Sequence, residues 1–419
     1  MRGKTLFSKD FMLVAAGQII SLFGNQAVRF ALPLYLLNLT GSSVLFGTIL
    51  AVSFIPMLFL FPVGGIIADR VNKRNVMVIL DFGTAILIFL FCLLAGKLDI
   101  VPLIAVTMVL LYGIQGAYQP AVQASIPALV ETEHIMQGNS VVNLTSLSGM
   151  LGSVIGGILY SAVGLAPILY VSIGCFSASA VLEIFIHIPF EKKQTTGNIF
   201  ATGFNDLKES FHFMFQERPV LLKMSLLYAS LNLLLTSLVL IAVPVLLTQR
   251  LGFAPDAANR LYGYAQGVIA AGAILGGLLA GILSKKLKAK ASPFLLAGCA
   301  LSVLIGGAAL HMLKDPMEIY LILVIGCGLL VALSTLFQIQ MMSCLQILTP
   351  RNLTGKVISC VICVCMCTNP LGQFLYGVIF ENIGSGVYLP FYASALLMAG
   401  IAVFTRRVFD GIDRLLPRM

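Results

Sequence analysis

Carboxyl groups within apolar sequence are the features of this chain best suited to chemistry. An acid in a hydrophobic helix costs free energy, can bind and release a proton, and therefore tends to mark a functional pathway. Three acids lie in long apolar stretches: Asp81, Glu183 and Glu381. Glu183, about two helical turns from the end of its stretch, is the best candidate for a residue that carries a proton. A structural pair with a basic loop residue is the alternative interpretation.

Neutral and basic polar side chains recur in the same stretches. Gln18, Asn25 and Arg29 share one helical face because they are spaced at i, i+7 and i+11. Hydrogen bonds between helices would explain any one polar residue. Because several polar residues are concentrated in a few apolar stretches, the pattern instead predicts a water-filled cavity that binds a small-molecule substrate. The residues assigned to this cavity are Gln18, Asn25, Arg29, Tyr112, Gln115, Gln119, Asn232 and Gln338.

Arg29 is the costliest of these residues. A cation inside a membrane helix costs on the order of 2 to 3 kcal/mol even on lenient insertion scales. Its long side chain can reach the headgroups, which is one interpretation. Its phase with Gln18 and Asn25 supports the other, in which Arg29 faces the cavity and meets an acidic or zwitterionic substrate group, or Glu381.

The loop between the second and third apolar stretches combines an acid with several bases. Its sequence, Gly65-Ile-Ile-Ala-Asp69-Arg70-Val-Asn-Lys73-Arg74, would place a carboxylate among cations at the membrane interface. Such a cluster can hold helices together, so the pattern predicts a conformational latch. A loop that only sets topology is the alternative. The residues assigned to the latch are Gly65, Asp69, Arg70, Lys73, Arg74 and Asp81, the last about two turns beyond Arg74.

The fifth apolar stretch, residues 140–163, is rich in glycine. Gly152, Gly156 and Gly157 follow Gly149 at short spacings. A face of small residues lets another helix approach closely, so these glycines predict a seal or hinge. Generic helix packing is the alternative.

The elements that position these residues are membrane helices. The chain has 59% hydrophobic and 10% charged residues and contains about twelve apolar runs long enough to span a bilayer. Its net charge of +9 does not indicate nucleic-acid binding, because the basic residues collect in alternate loops. The opposite loops hold only Lys97, Arg250, Arg260 and Lys314, which predicts that both termini are cytoplasmic.

The chain also contains an internal echo. The segment that begins at Gly65 returns without a gap as Gly277-Leu-Leu-Ala-Gly-Ile-Leu-Ser-Lys285-Lys286, which indicates a duplicated bundle of helices, an architecture typical of transporters. The predicted domains are an N-terminal bundle (1–189), a cytoplasmic linker with an amphipathic helix (190–218) and a C-terminal bundle (219–419).

Signals for catalysis and metal binding are missing. We find no HExxH, GxSxG or P-loop pattern, so neither an enzyme nor transport driven by this chain's own ATP hydrolysis is predicted. Cys360, Cys363, Cys365 and Cys367 have no nearby histidine, and we interpret them as packing residues. No metal and no cofactor are therefore expected.

Two motifs resemble those of a known family. Gly65-x-x-Ala68-Asp69-Arg70-x-x-Lys73-Arg74 resembles the signature loop of the major facilitator superfamily, and Gly152-Ser-x-x-Gly156-Gly157 resembles the helix-five motif of its antiporters. The whole chain is similar to the drug:proton antiporter branch, which bacterial macrolide efflux proteins typify.

This resemblance implies an all-α membrane protein with twelve transmembrane helices in two pseudo-symmetric six-helix bundles. It implies export of an amphipathic small molecule across the bacterial plasma membrane by alternating access, in exchange for protons, and we expect a monomer. A lysophospholipid or siderophore carrier of the same fold is the alternative within transport. A multi-span membrane sensor or scaffold is the alternative from another class.

Overall fold

The structure is a computed structural model that describes residues 8–129, 149, 151–188, 213–283, 291–349 and 354–412. Eleven helices within these ranges are long and apolar enough to cross a membrane, and a shorter apolar helix lies between the fourth and fifth of them. The helices are α1 Lys9–Thr40, α2 Ser43–Arg70, α3 Lys73–Leu94, α4 Ile100–Leu129, α5 Leu151–Val163, α6 Leu165–Ile184, α7 Pro219–Arg250, α8 Pro255–Leu283, α9 Ser292–Met312, α10 Pro316–Leu348, α11 Thr354–Asn382 and α12 Leu389–Ile412.

Local sequence explains where these helices begin and end. The Ser8 hydroxyl accepts a hydrogen bond from the Phe11 N–H and starts α1, and Gly41 ends it in the left-handed conformation at φ 66°. Only Val71 and Asn72 separate α2 from α3, and the Asn72 side chain caps α3 by accepting from the Arg74 N–H. The loop that carries the predicted latch is therefore a tight helix–helix turn.

The chain divides into two compact units: Met1–Thr196 with Ala254–Gly267, and Gly197–Phe253 with Val268–Met419. In the first unit α2 packs on α4, α1 packs on α6, and α3 contacts both α4 and α6. An apolar cluster fills the space between α1, α3 and α4 near the start of α1, with Phe11, Met77 and Val122 fully buried. These contacts fix the helices that carry the candidate site.

In the second unit α9 packs on α10 and α12, and α7 packs on α11. The middle of α7 departs from regular α-helix in a π-helical turn at Asn232–Thr236. Such turns add a residue to the helix and often lie at functional positions.

Glycine contacts reveal the same packing in both units. A Cβ atom at Gly64 in α2 would meet the Ala117 backbone of α4, and one at Gly276 in α8 would meet the Ala332 backbone of α10. Gly64 and Gly276 directly precede the two glycines that begin the sequence echo. The predicted fold class, with twelve helices in two pseudo-symmetric bundles, is confirmed.

The predicted linker lies mostly outside the described residues. Of residues 190–218, the structure describes the π-helical turn Phe213–Glu217 and Arg218. The amphipathic helix predicted there, and the domain boundaries drawn from it, stay predictions. The first part of the predicted fifth stretch also lies outside the described residues.

Candidate functional site

The candidate site is a buried polar cluster in the first unit, where α1, α3, α4 and α6 meet. Its two acids are Asp81 of α3, which is 2% exposed, and Glu183 of α6, which is 0% exposed. We call the set the carboxyl cluster, and its members are Gln18, Ser21, Asp81, Tyr118, Ser179 and Glu183.

Glu183 is held by α4 and lies close to the backbone of α1. The Tyr118 hydroxyl donates to Glu183 Oε1 at 2.7 Å, and Oε2 has no hydrogen-bond partner among the described residues. One turn earlier on α6, the Ser179 hydroxyl donates to the Gly17 carbonyl at 3.0 Å. A Cβ atom at Gly17 would lie 3.5 Å from Glu183 Oε1, so the absent side chain leaves room for the carboxyl group against α1.

Asp81 is held by α1. The Ser21 hydroxyl donates to Asp81 Oδ1 at 2.9 Å, and Oδ2 has no hydrogen-bond partner among the described residues. Ser21 lies one helical turn beyond Gly17, so α1 contacts both acids along one face. The two carboxyl groups are close enough for their charges to interact.

The electrostatics of this cluster favour proton chemistry. Within the described part of the chain, neither Asp81 nor Glu183 forms an ion pair. Burying two carboxylates without a cation is costly because the charges lose hydration and repel each other. A proton on either acid would remove one charge and supply an O–H donor where the cluster now has unpartnered oxygens.

Arg29 lies about three turns beyond Gln18 on α1. Its guanidinium carbon lies 3.5 Å from the centroid of the Tyr112 ring of α4, and Tyr112 in turn packs on Phe54 at a centroid distance of 4.9 Å. A cation over an aromatic face is attracted by the ring quadrupole, which offsets part of the cost of placing Arg29 in a membrane helix. Arg29 Nε is buried and has no hydrogen-bond partner among the described residues.

The other residues assigned to the cavity fall in different environments. Gln18 is 1% exposed and belongs to the carboxyl cluster, where its Nε2 is buried without a hydrogen-bond partner among the described residues. Asn25 is also buried, whereas Gln115 and Gln119 are half-buried on α4. Two residues lie in the second unit: Asn232 is buried in the π-helical turn of α7 and donates to the Tyr228 carbonyl at 3.0 Å, and Gln338 is exposed on α10.

The structure describes the predicted latch only in part. Gly65, Asp69 and Arg70 lie in the last turns of α2 and Lys73 begins α3, but the surroundings of Gly65 and the side chains of Asp69 and Arg70 lie outside the described set. Arg74 Nε is buried without a described hydrogen-bond partner. Asp81, which the sequence grouped with Arg74, instead lies in the carboxyl cluster with Glu183, because α3 turns this residue toward α1 and α6.

The helix-five glycines lie at close backbone contacts. A Cβ atom at Gly152 would lie 2.6 Å from the Phe23 carbonyl oxygen of α1, and one at Gly156 would lie 3.2 Å from the Ala27 Cα. Gly157 contacts Gly263 in the part of α8 that belongs to the first unit. The second unit repeats the contact of Gly152 with α1. A Cβ atom at Gly372 of α11 would lie 2.8 Å from the Leu233 carbonyl oxygen of α7.

Sequence reasoning missed several of these residues. Ser21, Tyr118 and Ser179 were not assigned to any site, and Asp81 was not recognised as a neighbour of Glu183. The spacing of Ser179 and Glu183 at i and i+4 is a signal that could have found the polar face of α6. The contact between α3 and α6 is tertiary and leaves no such signal.

The two units are built from membrane helices, pack alike and bury polar side chains. This combination is typical of a membrane transporter. The family model described as Major Facilitator Superfamily matches residues 14–367. The chain therefore belongs to the major facilitator superfamily, as the motif resemblance predicted. This family and fold are those of transporters and not of enzymes.

Relatives and solved structures agree with this assignment. The chain is 24% identical over 410 residues to the uncharacterized MFS-type transporter YfiS of Bacillus subtilis, covering 95% of this chain and 94% of the relative. It is 25% identical over 182 residues to macrolide efflux protein A of Streptococcus pyogenes, covering 43% and 45%. A bacterial homologue of the iron transporter ferroportin in its inward-facing state matches with a TM-score of 0.70 at 15% identity, covering 94% and 98%, and this match concerns the fold alone.

Proposed function

We propose that this protein is a proton-coupled exporter of an amphipathic small molecule, in which Glu183 carries the proton and Asp81 is its partner. The observation that carries the proposal is the pair of buried carboxyl groups, which have no ion-pair partner among the described residues. The partial match to macrolide efflux protein A supports the export direction. We place the protein in the bacterial plasma membrane as a monomer with both termini in the cytoplasm.

The proton step follows from the contacts of the two acids. Tyr118 occupies one oxygen of Glu183 and Ser21 occupies one oxygen of Asp81, so each carboxyl group keeps one oxygen for a proton. Loss of the proton would leave two neighbouring negative charges against α1, and its return would remove that repulsion. The charge state of the cluster therefore acts on the packing of α1 against α3 and α6.

Helices α1 and α4 connect this proton step to a substrate. Both helices contribute to the carboxyl cluster, through Ser21 and Tyr118, and both contribute to the cation–aromatic contact, through Arg29 and Tyr112. Arg29 is eleven positions beyond Gln18, which is about 16 Å along a helix at 1.5 Å per residue. A shift of α1 that follows protonation would reach Arg29 without any intermediate element.

The aromatic and cationic groups around Arg29 indicate the type of substrate. Tyr112 and Phe54 offer flat apolar surface, and the guanidinium group offers hydrogen-bond donors to an oxygen-rich substrate group. An amphipathic molecule with an aromatic or apolar body and a polar group would satisfy both. Adaptable sites of this kind accept several ligands.

Two assays test the proposal together. Cells with and without the protein should differ in their accumulation of a chemically diverse panel of dyes and antibiotics, and the difference should vanish when an ionophore collapses the proton gradient. Proteoliposomes should then move the identified compound when a pH gradient is imposed. Export that persists without any proton gradient would contradict proton coupling, and equal accumulation across the panel would contradict export of these compounds.

A further inference from the structure

The second unit has a groove on its exposed surface between α9 and α12. The groove has a volume of about 370 Å³ and an almost entirely apolar lining. Small side chains create it, because Ala297 and Ala300 of α9 face Ala395, Ala399 and Ala402 of α12. Larger apolar side chains form its rim, and two of these, Leu396 and Val403, are 69% and 71% exposed.

The groove has the length of a lipid chain in one leaflet. From Ala395 to Arg406 it follows α12 for eleven residues, which is about 16 Å at 1.5 Å per residue. The hydrocarbon core of a bilayer is about 30 Å thick, so one leaflet contributes about 15 Å. An extended acyl chain therefore fits along the groove from the membrane surface to the midplane.

One end of the groove carries a positive charge. Arg406 is the one charged residue among the described residues that line it, and its guanidinium carbon lies 5.2 Å from the centroid of the Phe294 ring. This contact holds the cation at the mouth of the groove. The sequence next to this end adds further bases: Lys285, Lys286, Lys288 and Lys290 precede α9, and Arg407 follows Arg406.

We propose that this groove binds an anionic phospholipid, with one acyl chain between the alanines of α9 and α12 and the headgroup phosphate at Arg406. Basic positions at a membrane interface attract anionic headgroups, and the apolar furrow below Arg406 confers a fit that a flat helix face lacks. A zwitterionic lipid fills the same furrow but gains less at the mouth. This site is independent of proton coupling.

The test uses the full chain, purified in detergent, and counts bound lipids by native mass spectrometry. Phosphatidylglycerol and phosphatidylcholine with identical acyl chains are the probes, and inorganic phosphate is the control for headgroup chemistry alone. The unaltered protein should prefer phosphatidylglycerol, and inorganic phosphate should not displace it. Arg406→Gln should lower the affinity for phosphatidylglycerol about fivefold, the effect expected for one interfacial cation, whereas Arg406→Lys should keep it.

The groove itself is tested by Ala399→Phe, which fills it. This variant should lower binding of both lipids and leave elution in size-exclusion chromatography unchanged. Two matched controls should bind both lipids as the parent does: Lys314→Gln removes an exposed charge just beyond the other end of α9, and Ala178→Phe adds a ring to an exposed position of α6.

Several results would overturn the proposal. Full preference for phosphatidylglycerol in Arg406→Gln would overturn it, and so would unchanged lipid binding in Ala399→Phe. Displacement of the lipid by inorganic phosphate would reduce the site to an anion site without a chain. Dissociation of a dimer in Ala399→Phe, with lipid binding intact, would assign the groove to a second copy of this chain.

Discussion

In the first unit, α3 and α6 bury two carboxyl groups, whereas the corresponding helices of the second unit, α9 and α12, bury only uncharged side chains among their described residues. Throughout the described part of the second unit, the buried polar side chains are uncharged. For example, the Tyr376 hydroxyl bonds to Ser394, and the Ser292 hydroxyl donates to Gln340. Its buried polar side chains are Ser225, Asn232, Ser237, Ser292, Ser302, Gln340, Thr349, Gln373, Ser394 and Thr405.

The two units nevertheless pack alike. Gly64 and Gly276 occupy matching contacts, and so do Gly152 and Gly372. The two repeats therefore share their backbone packing, but only the first unit has buried carboxyl groups among the described residues. This difference assigns the proposed proton step to the first unit and leaves the second unit as its neutral counterpart.

Leucine substitutions at Gly152 and Gly372 test whether the two units pack alike, and they should have the strongest effect. Gly152→Leu and Gly372→Leu each force a side chain into the backbone of a neighbouring helix, which costs about 3 kcal/mol or more at the upper end of overpacking effects. Both variants should lose monodisperse protein in size-exclusion chromatography and melt at lower temperature. Gly174→Leu, where no atom lies within 4 Å, is the control. Disruption by only one of the two would show that the repeats do not pack equivalently.

A smaller effect is expected at the predicted latch. The sequence echo has Gly281 where the first half has Asp69, so the charge is again present on one side only. Asp69→Asn should lower transport about tenfold with expression intact, because the latch predicted from the sequence would lose a charge-assisted hydrogen bond, which is worth about 1.5 to 3 kcal/mol. Gly281→Ala has open space around it and should transport normally. Normal transport by Asp69→Asn would reduce the loop to a topology signal.

Arg29 places a positive charge near the predicted cavity of the first unit, so it should affect which substrate charges are accepted. Arg29→Ala should weaken transport of anionic or zwitterionic compounds about tenfold, since the lost guanidinium group supplies charge-assisted hydrogen bonds. Transport of cationic dyes should be unchanged or improved. Competition assays with matched pairs of compounds measure both, and Arg29→Lys is the variant that retains the charge. Equal handling of the two classes by Arg29→Ala would remove Arg29 from substrate recognition.

The smallest effects compare two buried tyrosines. Tyr118→Phe removes the hydroxyl that donates to Glu183, and Tyr376→Phe removes the one that bonds to Ser394. The first should slow gradient-driven transport about three- to tenfold, in line with one hydrogen bond. The second should leave the rate within about twofold, because its partners are neutral. Equal losses in both variants would mean that the hydroxyl groups act only through folding.

The sequence predicted the architecture well because hydrophobic length alone identifies membrane helices. It also selected Glu183, since an acid in an apolar stretch is conspicuous whatever its neighbours. The sequence assigned both Arg29 and Tyr112 to one cavity, and the structure brings them into contact.

The carboxyl cluster could not be predicted in full because it depends on contacts between helices distant in sequence. Asp81 lies two turns from a basic loop, so its own helix suggested Arg74, whereas tertiary packing turns it toward Ser21. Gln18 shares a face with Arg29 but is 1% exposed and lies in the carboxyl cluster with the two acids. Gly372 could have been found by aligning the two halves over the helix-five motif.

The proton-carrying role of the carboxyl cluster is tested by Glu183→Gln in proteoliposomes, measured under an imposed pH gradient and, separately, as exchange without a gradient. If Glu183 carries the proton, gradient-driven transport should be abolished while substrate binding and exchange persist. The matched control is Glu381→Gln, an acid-to-amide change in the second unit that should remain coupled. Gradient-driven transport at the parent rate in Glu183→Gln, in protein that elutes as the parent does, would contradict the central claim that the buried carboxyl pair of the first unit carries the proton.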